Sequence, residues 1–338
     1  MDSVTQIVLG AAVGEAVLGR KVGNKAMLWG AIGGTIPDLD VIGRYFLDDI
    51  TALEWHRGFS HSFMFSLIMA PIFGWIIHQL YKKRGEATLK GWVLLMFMAF
   101  VTHPLLDCHT TWGTQFLWPF DLRIAYNNIF VIDPLYTIPF LVFLIMAMRQ
   151  NRVSPKRKKY NTYGLVISSI YMAITLLVKG ITFHQFTSNL KDQKIAYTEL
   201  STRPTPFNSI LWTANVNTKD SFLTAYYSLF DGGQKINFIS YPKNHHLLKG
   251  HENDDQIKRL IKICKGWYLL YEVDGQMYMS DLRFGAMGES KMDPPGFVFT
   301  HKLHLFPDGY HIEQIDPSTD DMGENLKSLF KRIVKKPI

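Results

Sequence analysis

The chain is short of cysteine. Only Cys108 and Cys264 occur among its 338 residues, too few for a disulfide framework. It also has no Walker-type phosphate loop, no G-x-S-x-G elbow and no glycine-rich dinucleotide turn. The opening Met1-Asp2-Ser3 carries no basic run, so a cleaved signal peptide is not expected. No internal repeat or low-complexity tract is visible. Charge is missing locally rather than globally. The formal net charge is +7, yet residues 62–81 hold no Asp, Glu, Lys or Arg. The basic residues crowd into short loops between apolar runs. That pattern argues for membrane topology and against a nucleic-acid partner.

Six apolar stretches are present, at 4–19, 26–37, 62–81, 91–106, 129–148 and 163–186. The first two are short for a span, which needs roughly 20 residues. They suit a tilted or re-entrant hairpin. Gly10 and Gly14 repeat at four residues, as do Gly30 and Gly34, a spacing that lets helices approach closely. Glu15 is expected to pair with Arg20 or Lys21. The loops 20–25, 82–90 and 149–159 hold thirteen Lys and Arg, against three in 38–61 and 107–128. The basic set should face the cytoplasm. Six crossings then put both termini outside it, in a multi-pass protein of the cell's inner membrane.

From residue 188 the composition turns soluble. Strands are expected at 194–201, 210–216, 222–228, 235–241, 267–273, 276–282 and 297–306. Asp274-Gly275 marks a hairpin. Helices are expected at 254–264 and 322–334. The fold class is therefore an α-helical integral membrane bundle over 1–187, with about six membrane segments, followed by an extracytoplasmic α+β domain over 188–338. Trp212, Tyr226 and Tyr227 are more simply core than interface anchors. The second domain is placed to stand over the site described next.

Three polar clusters sit at the ends of apolar segments. They are Pro37-Asp38-Leu39-Asp40, His56-Arg57-Gly58-Phe59-Ser60-His61 and His103-Pro104-Leu105-Leu106-Asp107. His103 and Asp107 share one helical face. Asp38 and Asp40 point to one side if the segment after Pro37 is extended. His56 and His61 suit a loop and the first turn of a helix, with Gly58 allowing the bend. Ionisable groups near a membrane are costly and tend to be functional. Six such residues on one face are read as metal ligands: Asp38, Asp40, His56, His61, His103 and Asp107. Mixed nitrogen and oxygen donors suit zinc, as one or two ions, with manganese and magnesium as the other candidates. Asp38 is the candidate general base, and Arg57 the candidate clamp for an anionic substrate group. Gln6 and Asp133 are candidates for supporting the ligands from behind. His109, Thr110, Thr111 and Gly113 read as a loop over the site. The histidines at 245, 246, 251, 301 and 304 read as turn and strand-face residues.

These residues resemble a known family. Asp2 with Thr5, the Pro37–Asp40 run, His56-Arg57-Gly58, Ser60-His61-Ser62, His103, Leu106-Asp107, Thr111, Gly113 and Pro119-Phe120 are similar to the YdjM-like (LexA-binding, inner-membrane-associated) metal-dependent hydrolases. The resemblance covers roughly residues 1–150. It implies an integral membrane hydrolase with a metal site. Members commonly carry a histidine after the N-terminal threonine, where this chain has Gln6. A looser similarity to zinc-dependent phospholipase C, whose sites also use His-xxx-acid pairs, suggests phosphoesters or lipid headgroups as substrates. The expected function is hydrolysis of a phosphoester or ester in a lipid-like or anionic substrate, by a metal-activated water at the extracytoplasmic interface. Membrane lipids and a small-molecule or lipid substrate are the expected partners. The competing readings are a transport or ion-binding protein, which would hold these groups near the midplane, and a non-catalytic membrane scaffold.

Overall fold

The computed structural model describes residues 1–85, 87–286, 296–307, 309–315 and 322–334. It divides into two compact units, Met1–Tyr45 with Trp55–Leu176, and Phe46–Glu54 with Leu177–Ile338.

The first unit is helical. Helix α1 (Ser3–Val22) starts under the cap of Asp2, whose side chain accepts from the Thr5 amide. Gly23, at positive φ, ends it and turns the chain directly into α2 (Asn24–Thr35). The two helices touch backbone to backbone. A Cβ on Gly30 would lie 2.1 Å from Gly10 O, and one on Gly14 would lie 2.1 Å from Ala26 O. The four-residue glycine spacing thus does what it suggested. Gly30→Val is expected to cost roughly 3 kcal/mol or more, because two backbones must separate. Gly180→Ala, which meets nothing within 4 Å, should leave stability equal or slightly raised. Thermal unfolding of both variants in detergent checks this, and equal melting points would overturn it.

A 3₁₀ segment, Ile36–Tyr45, follows α2. The short α3 (Asp49–Trp55) comes next, then a 3₁₀ turn at Phe59–His61 and α4 (Phe63–Tyr81) under the cap of Ser62. Thr88 caps α5 (Leu89–Asp107), and Asp133 caps α6 (Pro134–Met148). Helix α7 runs without a break over Pro155–Asp192, through the expected domain boundary at 187. The core of the helical unit is Val8, Ala12, Met27, Tyr136, Phe140 and Leu144 on one side, with Leu18, Trp92, Leu95, Met96 and Phe100 on the other.

All six apolar stretches fall on helices, but they are not equal. Phe63–Arg84, α5 and α7 are long and apolar enough to cross a membrane. Helix α6 is apolar but shorter. Helix α2 has 12 residues, about 18 Å of rise. Helix α1 carries Glu15, Arg20 and Lys21 in its second half. Of the six expected crossings, three helices among the described residues meet the length and composition of a span. Leu67, Trp75, Ile138 and Ile170 lie exposed, apolar surface that a bilayer would cover.

The second unit is built on two antiparallel four-stranded sheets, each in sequence order. The first holds β1 (Glu199–Pro204), β2 (Leu211–Asn217), β3 (Ser221–Ser228) and β4 (Ile239–Pro242). After α8 (Asp255–Ile263) the second holds β5 (Tyr268–Val273), β6 (Gln276–Ala286), β7 (Phe297–Phe306) and β8 (Gly309–Ile315). Asp274 and Gly275, both at positive φ, close the β5–β6 hairpin. Strand β8 was not expected, although Gly309 follows an aspartate in the sequence and pairs with Phe306. Helix α9 (Met322–Val334) comes last, with Arg332 paired to buried Asp231. Trp212 and Tyr227 are core residues against Phe186. His245 stacks on Tyr268, and His304 meets Glu313 at 3.0 Å.

Candidate metal centre

Four side chains from three separate stretches of sequence converge in the helical unit: Asp38, His61, His103 and Asp107. Helix α5 supplies the last two, one turn apart on one face. The turn before α4 supplies His61, and the 3₁₀ segment after α2 supplies Asp38. His61 Nε2 lies 3.1 Å from His103 Nε2, 3.2 Å from Asp38 Oδ1 and 3.5 Å from Asp107 Oδ2. His103 Nε2 lies 3.3 Å from Asp38 Oδ1 and 3.7 Å from Asp107 Oδ2. The side chains of His61, His103 and Asp107 are fully buried, and that of Asp38 is 19% exposed.

These donors fit a cation. Bonds of about 2.0 Å to a tetrahedral ion set its ligand atoms about 3.3 Å apart, within the range observed. Two imidazole nitrogens face each other, and one proton at most can lie between them. Asp107 Oδ2 is buried and makes no well-formed hydrogen bond among the described residues; Arg57 Nε stands beside it at 3.2 Å as an ion pair. One dication answers all three conditions. Among the described residues this is the one group of its kind.

The groups behind the donors aim them. His103 Nδ1 stands 2.6 Å from the carbonyl of Gly34. Donating there leaves Nε2 with its lone pair toward the cluster. His61 Nδ1 lies 3.0 Å from Ser60 Oγ and 3.2 Å from Asp40 Oδ2. Asp107 Oδ1 accepts from Gln6 Nε2 at 2.9 Å and from the Met1 amino group. Gln6 therefore reaches the site as a support for Asp107.

Asp40 and His56 stand one layer out. The segment after Pro37 is not extended, as expected, but 3₁₀ helical. At three residues per turn, positions two apart point about 240° apart. Asp38 and Asp40 therefore take opposite edges of the His61 ring. Asp40 also accepts from His56 Nδ1 at 3.0 Å, from the Arg57 amide at 2.8 Å and from Ser60 Oγ at 3.0 Å. It ties the whole 56–61 turn to the 3₁₀ segment. Arg57, not Gly58, carries the positive φ of this turn, 57°, and its amide bond to Asp40 helps hold that conformation. Its side chain turns inward. Nε lies 3.2 Å from Asp107 Oδ2, and Nη1 donates to Thr110 Oγ1 at 2.7 Å. Thr110 Oγ1 in turn donates to the Asp107 carbonyl. Asp133 caps α6 and accepts from Tyr171 Oη at 2.9 Å. The 108–128 loop folds back on the 56–61 turn through Gln115 N to Arg57 O and Arg123 to His56 O. Gly113 sits where a Cβ would lie 2.5 Å from Ile124 O.

Burial alone would pull the His61 imidazole down, but the carboxylates of Asp107, Asp38 and Asp40 around it lift it to about 10. Burial alone would raise the Asp38 and Asp40 carboxyls. The imidazoles of His103 and His61 beside Asp38, and of His56 and His61 beside Asp40, instead hold them well below the usual carboxylate range. Burial lowers His56 despite Asp40 beside it.

Sequence comparison places the helical unit among known proteins. A model of the YdjM inner membrane protein family matches residues 1–185. The chain is also similar to the uncharacterized protein YfhP of Bacillus subtilis (strain 168), at 30% identity over 149 residues. That match covers 42% of this chain and 44% of YfhP, so the chain spans less than half of its curated relative. No solved structure matches.

Proposed function

The chain belongs to the YdjM inner membrane protein family, and on that premise we propose that it is a membrane-bound, metal-dependent hydrolase. Its substrate in this reading is a phosphoester or ester of a lipid-like or anionic molecule. The observation that carries the proposal is the set of four donor atoms within 4.8 Å of one another, three sealed and one open. His61, His103 and Asp107 hold the ion, zinc by their donor chemistry. A bound dication supplies Lewis acidity toward the substrate oxygen and brings the pKa of a water to about 7. Asp38, the donor nearest solvent, takes the proton of the attacking water. Asp40 keeps the His61 ring in place, and Arg57 with Thr110 keeps Asp107 in place. The cluster lies at the end of α5 and just ahead of α4, as an enzyme meeting substrate at the interface requires. A transporter would hold such groups near the midplane.

Metal-loaded protein should cleave at least one member of a panel of phospholipids and acyl esters, and a chelator should abolish the turnover. Asp38→Asn should lower kcat by roughly 10²–10⁴-fold while metal content stays unchanged. No chelator-sensitive turnover across the panel would sink the proposal.

The proposed working face is extracytoplasmic, supported by the thirteen-to-three division of basic residues between the two sets of loops. With Cys108 and Cys264 replaced, a cysteine introduced at Asn253 should react with an impermeant reagent on intact cells, and one at Ser154 should not. The opposite labelling pattern would move the working face to the cytoplasm.

A further inference from the structure

Toward the C-terminal end of α1 the helical unit opens into a groove of about 570 Å³ against the start of α7. Four cationic side chains line it: Arg20, Arg152, Lys158 and Lys159. Glu15 lines it too, but both of its oxygens are taken by Arg157, at 2.7 and 2.5 Å. Its charge is therefore spent, and among the described residues the four cations face the groove without a counter-ion. Arg152 donates to the Lys21 carbonyl, and Lys159 lies 5.5 Å from the Tyr163 ring centre. Neither contact supplies negative charge.

A second observation specifies the occupant further. Asn161 also lines the groove and is only 4% exposed. Its Nδ2 donates to the Ala12 carbonyl, which leaves Oδ1 as the free acceptor of the side chain. That oxygen is buried and has no partner among the described residues. It calls for a hydroxyl or amine donor. The remaining walls, Ala16, Val153, Pro155 and Leu165, are apolar. Beyond them α7 exposes Val166, Ile167 and Ile170. Negative charge, a donor group and an apolar body are thus wanted within a few residues of one another.

We propose that this groove binds an anionic phospholipid with a hydroxylated headgroup. The phosphate lies among the four cations, a headgroup hydroxyl donates to Asn161 Oδ1, and the acyl chains run along the exposed apolar face of α7. A free phosphate would leave the apolar walls and the Asn161 acceptor unused. The inference stands independently of the metal cluster.

The test is native mass spectrometry of the full chain in detergent, titrated with phosphatidylglycerol, phosphatidylmethanol or phosphatidylcholine. Phosphatidylglycerol should bind more tightly than phosphatidylcholine. Arg20→Gln with Lys158→Gln should weaken it roughly 25-fold, at about fivefold per cation. Lys82→Gln with Lys83→Gln, in a basic turn outside the groove, should change it less than about twofold on the same scale. Equal losses in the two double variants would reduce the effect to unspecific charge and overturn the proposal. So would the lack of any preference over phosphatidylcholine, or displacement of the lipid by equimolar inorganic phosphate. Asn161→Leu should bring phosphatidylglycerol down to the level of phosphatidylmethanol, a phosphodiester of the same charge with no headgroup hydroxyl. Both affinities are read on one protein, so a general loss of stability cannot mimic the change. An unchanged ratio would remove the hydroxyl from the assignment and overturn it.

Discussion

Purified protein should carry close to one zinc per chain, and His61→Ala, His103→Ala and Asp107→Ala should each carry less than about a tenth of that. Each substitution takes one of three sealed donors from a set whose spacing suits a single ion. Asp107→Ala has a second effect, because it leaves Arg57 Nε buried beside an empty space. Asp107→Asn keeps the shape and is the better variant for separating metal loss from misfolding. Asp40→Asn should behave differently. Asp40 holds His61 from the far edge of the ring, so binding should persist but weaken by roughly 10–100-fold. His56→Ala should retain the metal, since His56 bonds to Asp40, meets His61 only ring against ring, and is not one of the four donors. Elemental analysis and competition with a chromogenic chelator measure all of these. Loss of zinc from His56→Ala as complete as from His61→Ala would return His56 to the ligand set.

The same site sets a pH dependence. In the metal-free chain His61 is raised from 6.5 to about 10 by the surrounding carboxylates. A ligating nitrogen must give up its proton. Metal binding between pH 7 and 9 should therefore release a proton, and apparent affinity should rise about tenfold per pH unit over that range. Folding of the metal-free chain should show the opposite trend. A group raised in the folded state adds stability that is fully present below its unfolded value of 6.5 and is lost as pH rises through about 10. The melting point of the metal-free chain should fall across that window. Calorimetry in buffers of different ionisation enthalpy counts the proton. A count of zero at pH 8 would mean that His61 is already neutral.

The parts of the site that are local in sequence were legible there. His103 and Asp107 meet because a helix repeats its face every four residues, whereas Asp133, expected behind the ligands, caps a proline-started helix and bonds to Tyr171 instead. The lost parts depend on the path of the backbone between elements. Nothing in Pro37-Asp38-Leu39-Asp40 distinguishes an extended segment from a 3₁₀ turn, yet that choice decides whether the two aspartates act together or from opposite sides of His61. Gly58 looked like the bend because glycine tolerates positive φ, but Arg57 occupies that conformation under the hold of Asp40 and the buried Asp107. The helical stretches were readable from hydropathy, and the number that can cross a membrane was not. Crossing depends on where Glu15 finds its counter-charge as well as on length.

That counter-charge gives the largest expected effect on stability. Arg20 and Lys21, near in sequence, were the expected partners of Glu15. The structure pairs it instead with Arg157, 142 residues away, by two hydrogen bonds, with side chains 4% and 3% exposed. Arg157 Nη1 is further held by Asn24 Oδ1 at 2.8 Å and the Gln150 carbonyl at 3.0 Å. The room for this carboxylate comes from Gly19, where a Cβ would fall 2.2 Å from it. Arg157→Met should leave a buried carboxylate unpaired and cost about 3–5 kcal/mol. Glu15→Met with Arg157→Met removes both charges. It should recover most of that loss, because a buried pair repays little more than its own desolvation. Gly19→Ala should also destabilise, by pushing the carboxylate from its place. Thermal and denaturant unfolding of the single and double variants form a double-mutant cycle. If Arg157→Met and the double variant unfold together, the pair is not coupled, and Glu15 finds its compensation in the neighbouring Arg20 and Lys21 after all.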